Sequence, residues 1–282
     1  MKGRGGLPPS KDQAIGVFDS GLGGLTVVRE IMRELPQEHI IYYGDLARLP
    51  YGIKSKEQII RFSCENTEFL LRQNVKAVVV ACNSSASASI ALLKKRYFLP
   101  VTDVIEPAAQ KAVRFSLTKR IGVIGTPATI RSGAYEKALK KLESKVKVFT
   151  QDCPLFVPLV EEGWTSGKIT DQVIHEYLKD LVKQRIDTLI LGCTHYPLLR
   201  HALQDYVGPH VVLVDSAGPA VYHLQERLAE LKLLADRGGR GTLKIYVSDM
   251  PRNFVHVGQQ FLGCRLKHVR VVPIQPFKMK LS

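Results

Sequence analysis

Two segments of this chain repeat two others, and that repeat limits its fold more than any other feature. Ile15-Gly16-Val17-Phe18-Asp19-Ser20 has a counterpart in Ile121-Gly122-Val123-Ile124-Gly125-Thr126. Val78-Val79-Val80-Ala81-Cys82-Asn83-Ser84 has one in Thr188-Leu189-Ile190-Leu191-Gly192-Cys193-Thr194. The offsets, 121 − 15 = 106 and 193 − 82 = 111, are nearly equal, and the order is kept. Self-similarity at one spacing marks a duplicated structural unit. In each copy an apolar run ends in small and polar residues, as a buried parallel strand does before its crossover.

Short β-branched runs alternate with longer amphipathic stretches throughout, the pattern of parallel sheets flanked by helices. Strands are expected at Ala14–Phe18, His39–Tyr43, Val75–Ala81, Ile121–Ile124, Lys145–Thr150, Thr188–Leu191, Leu243–Val247 and Val269–Val272. Helices are expected at Leu25–Leu35 (stopped by Pro36), Lys56–Gln73, Ala134–Leu142, Ile169–Gln184 and Asn253–Leu262. The fold class is therefore α/β, with two similar parallel-sheet domains; if a pseudo-two-fold relates them, the active site lies in the cleft between them. With 282 residues and a 45% hydrophobic share, two cores can be filled. The expected division is a first domain of residues 14–104 plus 215–282 and a second of residues 105–214. Met1–Gln13, rich in Gly, Pro and Lys, reads as a short disordered leader without the apolar stretch of a signal peptide.

No apolar run reaches the ~18–20 residues that cross a bilayer, so a cytosolic protein with no membrane contact is expected. Five scattered cysteines (Cys64, Cys82, Cys153, Cys193, Cys264) form no C-x-x-C pair, which argues against a disulfide framework and a closed zinc site. The net charge of +14 attracts anionic partners without naming one. Residues 232–282 alone hold ten Lys/Arg against two Asp/Glu, 10 − 2 = +8. A solvated basic face accounts for this; contact with nucleic acid or a DNA-handling enzyme is the sharper alternative, but it lacks a recognition motif.

The chemistry concentrates where the repeats end. In open α/β sheets, ligands bind beyond the carboxyl ends of strands. Cys82 and Cys193 both stand at such ends, followed by the hydrogen-bonding pairs Asn83-Ser84 and Thr194-His195. A pseudo-two-fold would turn the two thiols into one cleft from opposite sides. Inversion of a carbon centre needs that geometry, since one group must strip a proton from one face while another delivers one to the other. Each cysteine alone reads as a small core residue; their symmetric placement reverses that. Asp19-Ser20-Gly21-Leu22-Gly23-Gly24 follows a strand and opens a helix, where glycines let backbone approach a ligand and free N–H groups bind a carboxylate. Asp19 is either a helix cap or a group that relays a proton or binds an ammonium. His195 lies two residues after Cys193, on one face if the backbone is extended, where an imidazolium would lower a thiol's pKa; zinc ligation is the rival role. Glu161 follows an apolar stretch and is either a partly buried acid or a solvated helix-end carboxylate. Cys64 and Cys264 read as structural, and Cys153 is left open.

The segments FDSGLGGLTV (18–27), YYGDLARLPYG (42–52), VVVACNSSAS (78–87), VIGTPATIRSGAY (123–135), CPLFVPLVEEG (153–163) and LILGCTHYPLL (189–199) run in an order that resembles the bacterial glutamate racemases of the aspartate/glutamate racemase superfamily. The similarity covers roughly residues 14–273. It implies a two-domain enzyme that interconverts L- and D-glutamate for peptidoglycan, commonly as a homodimer, without pyridoxal phosphate, other cofactor or metal. Cys82 and Cys193 match the catalytic cysteines. Asp19 and Ser20, Tyr51 and Gly52, Asn83 and Ser84, and Thr194 and His195 match the substrate-contacting pairs. Asp19 and His195 match the helpers of Cys82 and Cys193, and Glu161 and Asp45 fall on acidic positions of the site. The chain departs from the pattern at Ser84-Ser85, which usually reads Thr-Ala. Rival readings are a racemase of aspartate or another amino acid, a DNA-binding role and a metal-dependent hydrolase.

Overall fold

The computed structural model describes residues 9–251 and 254–274. A first run of elements comprises β1 (Ala14–Asp19), α1 (Leu25–Glu34), β2 (Ile40–Gly44), α2 (Lys56–Arg72), β3 (Val75–Val80), α3 (Asn83–Arg96), β4 (Val101–Asp103) and α4 (Ile105–Phe115). A second run follows with β5 (Arg120–Gly125), α5 (Pro127–Arg131), α6 (Ala134–Leu142), β6 (Lys147–Asp152), α7 (Phe156–Glu161) and α8 (Lys168–Lys183). It continues through β7 (Thr188–Gly192), α9 (Arg200–Val207), β8 (Val212–Asp215) and α10 (Ala217–Glu230). The described chain then adds β9 (Leu243–Val247), α11 (Phe254–Leu262) and β10 (Val269–Val271).

The strands form a six-stranded sheet in the order β10-β9-β2-β1-β3-β4 and a four-stranded sheet in the order β6-β5-β7-β8. Every strand pairing is parallel. The order 2-1-3-4 of the first run recurs as 6-5-7-8 in the second, so the sequence repeat is a repeat of topology. β9 and β10 extend only the first sheet, outside β2. In both sheets the central strands β1, β3, β5 and β7 are buried on both faces, with Val17, Phe18, Val78, Val80, Val123, Ile124 and Leu189 through Leu191 essentially inaccessible. Covered on both sides by helices, they read as continuous apolar runs rather than alternating ones.

Local signals fix the helix starts. The Ser55 hydroxyl accepts from the Gln58 N–H ahead of α2, and Thr126 caps α5 by accepting from Thr129, with Pro127 in the first turn. Most expected elements recur within one or two residues. Asn253, the expected first residue of α11, lies outside the described residues, as do 1–8 and 275–282. Residues 9–13, expected as the end of a disordered leader, are instead tied down. Gln13 donates to Asn74 Oδ1 (2.6 Å), Lys11 pairs with Asp236, and the Lys11 carbonyl accepts from the Lys76 ammonium (2.8 Å). Lys76 is wholly buried, and it also donates to the Leu233 carbonyl (2.7 Å) and pairs with the buried Glu38 at 2.6 Å. Among the described residues no helix is long and apolar enough to cross a membrane.

Candidate active site

The segments that follow β1, β3, β5 and β7 meet at the carboxyl ends of both sheets and enclose one small cavity. Ser20 comes from the first, Cys82, Asn83 and Ser84 from the second, Thr126 from the third, and Cys193, Thr194 and His195 from the fourth. Leu49 through Gly52, beyond β2, and Val157 of α7 complete the wall. The space is small, about 300 Å³ with its open mouth included, which suits a ligand of few atoms. Both cysteines line it, Cys82 at 5% exposure and Cys193 at 6%.

The two thiols have different surroundings. Cys82 is the N-cap residue of α3, and its Sγ lies 3.5 Å from Ser20 Oγ. Burial and the neighbouring Asp19 carboxylate push its pKa up to about 11, against opposing hydrogen bonds from Ser20 and Ser85. Cys193 Sγ sits 3.9 Å from His195 Nδ1, and His195 Nε2 lies 3.2 Å from Glu161 Oε1. Burial works to lower the His195 pKa, but the hydrogen bonds and charges of Cys193 and Glu161 outweigh it and raise it to about 10. Burial and a carboxylate thus disfavour charge on Cys82, whereas the partners of the imidazole beside Cys193 favour its proton. The expectation that extended backbone aligns Cys193 with His195 fails. His195 is helical (φ −80°, ψ −32°), and the Tyr196 N–H donates to the Cys193 carbonyl at 3.2 Å. A tight turn folds the ring back onto the sulfur.

Asp19 and Glu161 do not line the cavity. Asp19 lies wholly buried behind it, accepting from Gly21 N–H (3.0 Å) and the Thr194 hydroxyl (3.4 Å). Burial raises its pKa, opposed by the His195 charge and by N–H donors of Gly21 and Gly24. Glu161, at the end of α7, is neither fully solvated nor in the cavity, and it stands behind His195 as its ion-pair partner. Asp45 is also set back. It accepts from Arg48 (2.6 Å), from the Tyr51 hydroxyl and from Ser248 (3.1 Å), while Arg48 also pairs with Glu65 and stacks on Phe62 at 4.0 Å. This buried network holds the turn that presents Tyr51 and Gly52.

Polar groups of the cavity wall come from both halves. Asn83 Oδ1 accepts from the Tyr135 hydroxyl at 2.7 Å, which leaves Asn83 Nδ2 a buried donor without a partner in the wall. The Ser84 hydroxyl joins Thr126 Oγ1 at 2.9 Å, and Thr126 joins Thr129 at 3.1 Å. Close approach of backbone is built in at two glycines. A Cβ on Gly23 would lie 2.2 Å from Thr194 Oγ1 and 2.7 Å from His195 Nδ1, and one on Gly52 would lie 2.5 Å from Thr126 Cβ.

Of the residues expected to contact substrate or act as bases, Ser20, Tyr51, Gly52, Cys82, Asn83, Ser84, Cys193, Thr194 and His195 line the cavity, and Asp19 does not. Thr126 was missed, though the repeat carried the signal, because Thr126 is the counterpart of Ser20 at the 106-residue offset. Leu49, Pro50 and Val157 had no signal beyond the segments containing them. Cys64 and Cys153 are buried away from the cavity, and burial pushes both thiols up. Among the described residues no three or more His, Cys, Asp or Glu side chains are grouped to hold a metal ion.

Comparison with known proteins bears on this arrangement directly. The Asp/Glu/Hydantoin racemase family model matches residues 15–224. The chain belongs to that family. It is 46% identical over 266 residues to the glutamate racemase of Geobacter metallireducens, covering 94% of this chain and 98% of that one. The glutamate racemase of Bacillus anthracis superposes with a TM-score of 0.90 at 40% identity, over 94% of this chain and 98% of its own. That of Francisella tularensis, solved in complex with D-glutamate, gives 0.89 at 38% identity, over 95% and 100%. Family membership makes the chain an isomerase.

Proposed function

We propose that this chain is a glutamate racemase in which Cys82 and Cys193 are the two bases. The carrying observation is that both cysteines line one small cavity, each at the end of the equivalent strand in its own sheet. Curated relatives and solved structures of the same length and topology are glutamate racemases, and one of them holds D-glutamate.

The substrate α-carbon sits between the sulfurs. One thiolate takes the α-proton, and the thiol opposite delivers its own to the other face, so the configuration inverts and the roles exchange with direction. Cys82, held as a thiol, begins as the acid. Cys193, beside the protonated His195, is the sulfur whose proton can be passed to and fro, with Glu161 orienting the ring. Asn83 Nδ2 and the hydroxyls of Ser20, Ser84 and Thr194 hold the substrate carboxylates and stabilise charge that develops on the α-carboxylate as the Cα–H bond breaks. Asp19 acts from behind, through Thr194 and Cys82, rather than by touching substrate. Closure of residues 14–104 plus 215–282 against 105–214 excludes water from the carbanion-like species. The enzyme works in the cytosol as a homodimer and supplies D-glutamate for peptidoglycan.

Cys82→Ala and Cys193→Ala are each expected to cut racemisation by roughly 100- to 10,000-fold while leaving the thermal unfolding midpoint unchanged. Polarimetry on L-glutamate and L-aspartate side by side reads both activity and substrate. Full turnover by either variant, or a preference for aspartate, contradicts the proposal.

A further inference from the structure

Ser85 stands out on the first turn of α3. Its hydroxyl is completely enclosed and makes no hydrogen bond of ordinary geometry in the wall around it. Such an orphan is costly, about 1–3 kcal/mol by general experience, and an alanine would remove it. Neighbouring serines behave differently: Ser87 and Ser89 donate back to carbonyls of their own helix (2.9 and 2.6 Å), and Ser84 joins the Thr126 hydroxyl.

Cys82 stands one helical turn before Ser85. Cys82 is the N-cap residue, and Ser85 stands three positions on, where the backbone N–H of a helix points back at the cap side chain. The Ser85 amide and hydroxyl both act on the sulfur, in the sense that favours its thiolate. The rest of that environment works the other way. Asp19, at the end of β1, places a carboxylate beside the sulfur, and the buried phenols of Tyr42 on β2 and Tyr51 bring no positive charge. Tyr51, Ile59 and Phe62 pack around the sulfur as an apolar wall. Yet two-base inversion requires Cys82 to carry negative charge in half of each catalytic cycle. Ser20 Oγ lies 3.5 Å from the sulfur and accepts from the thiol in the resting fold.

We propose that Ser85 is a positioning residue that stabilises the thiolate of Cys82 during turnover, its hydroxyl turning to the sulfur when the negative charge forms. The inference rests on the two-cysteine reading. It accounts for an enclosed hydroxyl that makes no hydrogen bond of ordinary geometry in the resting fold. The protons balance: the Cys193 thiolate takes the α-proton and becomes a thiol, Cys82 gives its proton to the opposite face and becomes thiolate, and that thiolate accepts the Ser85 O–H···S hydrogen bond without taking its proton until solvent, or the α-proton of the opposite enantiomer, reprotonates it.

The test is Ser85→Ala, read by pH-dependent alkylation of Cys82 with iodoacetamide, followed peptide by peptide in a mass spectrometer. Loss of one hydrogen bond to a charged sulfur is expected to move the Cys82 midpoint upward by about 1 unit. kcat/KM should fall about 10-fold, equally for L- and D-glutamate, because enantiomers have equal free energy. Thermal stability should be unchanged or higher, since a buried orphan hydroxyl is gone. A midpoint unmoved from the native one, with undiminished turnover, overturns the proposal. The alkylation midpoint is read without turnover, so a failure of the racemase reading would show separately, as native protein that leaves both glutamate enantiomers unchanged.

Discussion

At the residue scale, the site is organised by which group holds a proton beside which sulfur. His195 has a folded-state pKa of about 10, above its unfolded value of ~6.5. Its ion pair with Glu161 and hydrogen bond to Cys193 therefore contribute stability in full below the unfolded value. That contribution drains away as pH rises through the folded one. Urea unfolding of native protein and of His195→Gln should show a gap that is widest below about pH 6.5 and closes as pH rises through about 10; a gap that widens in alkali contradicts the assignment. Gly23 gives a sharper geometric test. Its Cβ would fall inside the contact distances of Thr194 and His195, and neither can retreat without leaving the cavity wall. Gly23→Ala should lose about 100-fold in kcat, as displacement of catalytic groups by ~1 Å does, with the fold intact by circular dichroism.

At the element scale, the strands were legible because burial on both faces leaves continuous β-branched runs, as in Val75–Val80 and Thr188–Leu191. Helices α2, α6 and α8 were legible because their exposed faces alternate with apolar ones. α3 was not marked, because Asn83-Ser84-Ser85-Ala86-Ser87-Ala88-Ser89 has neither the apolar stripe nor the propensity of a helix. It is helical because its first turn, Ala86 and Leu93 are buried against the rest of the fold, while Ser87 and Ser89 satisfy their hydroxyls on carbonyls of the same helix. The short β4 and β8 gave three or four residues each, too few for a period. Lys76 is the most unusual strand residue, a buried cation on β3 whose pKa burial lowers and Glu38 partly restores. It ties β3 to the carbonyls of Lys11 and Leu233. Lys76→Met leaves Glu38 buried without its cation, so a loss of about 3–5 kcal/mol is expected in urea unfolding. A variant as stable as the native chain would show that the pair is dispensable.

At the scale of the whole molecule, the repeat read from sequence is a repeat of sheet order, and it decides where chemistry can occur. Each half alone presents one thiol at the end of one strand, and only the pair makes a cavity with a sulfur from each side. The halves are joined across it by Ser84 with Thr126, Asn83 with Tyr135, and Asp19 with Thr194. Sequence alone placed the cysteines and their polar neighbours, since those follow strand ends. It could not rank Asp19 and Glu161 behind the wall rather than in it, nor reveal the turn at His195, because loop direction depends on packing that no local period encodes. The most direct test of the central claim is deuterium incorporation at the α-carbon of glutamate during early turnover in heavy water, without added cofactor. Two sulfurs on opposite faces should put deuterium in the newly formed enantiomer while the unreacted one keeps its protium, starting from either hand. Label appearing equally in recovered starting material, or protium carried over into the product, would contradict the account.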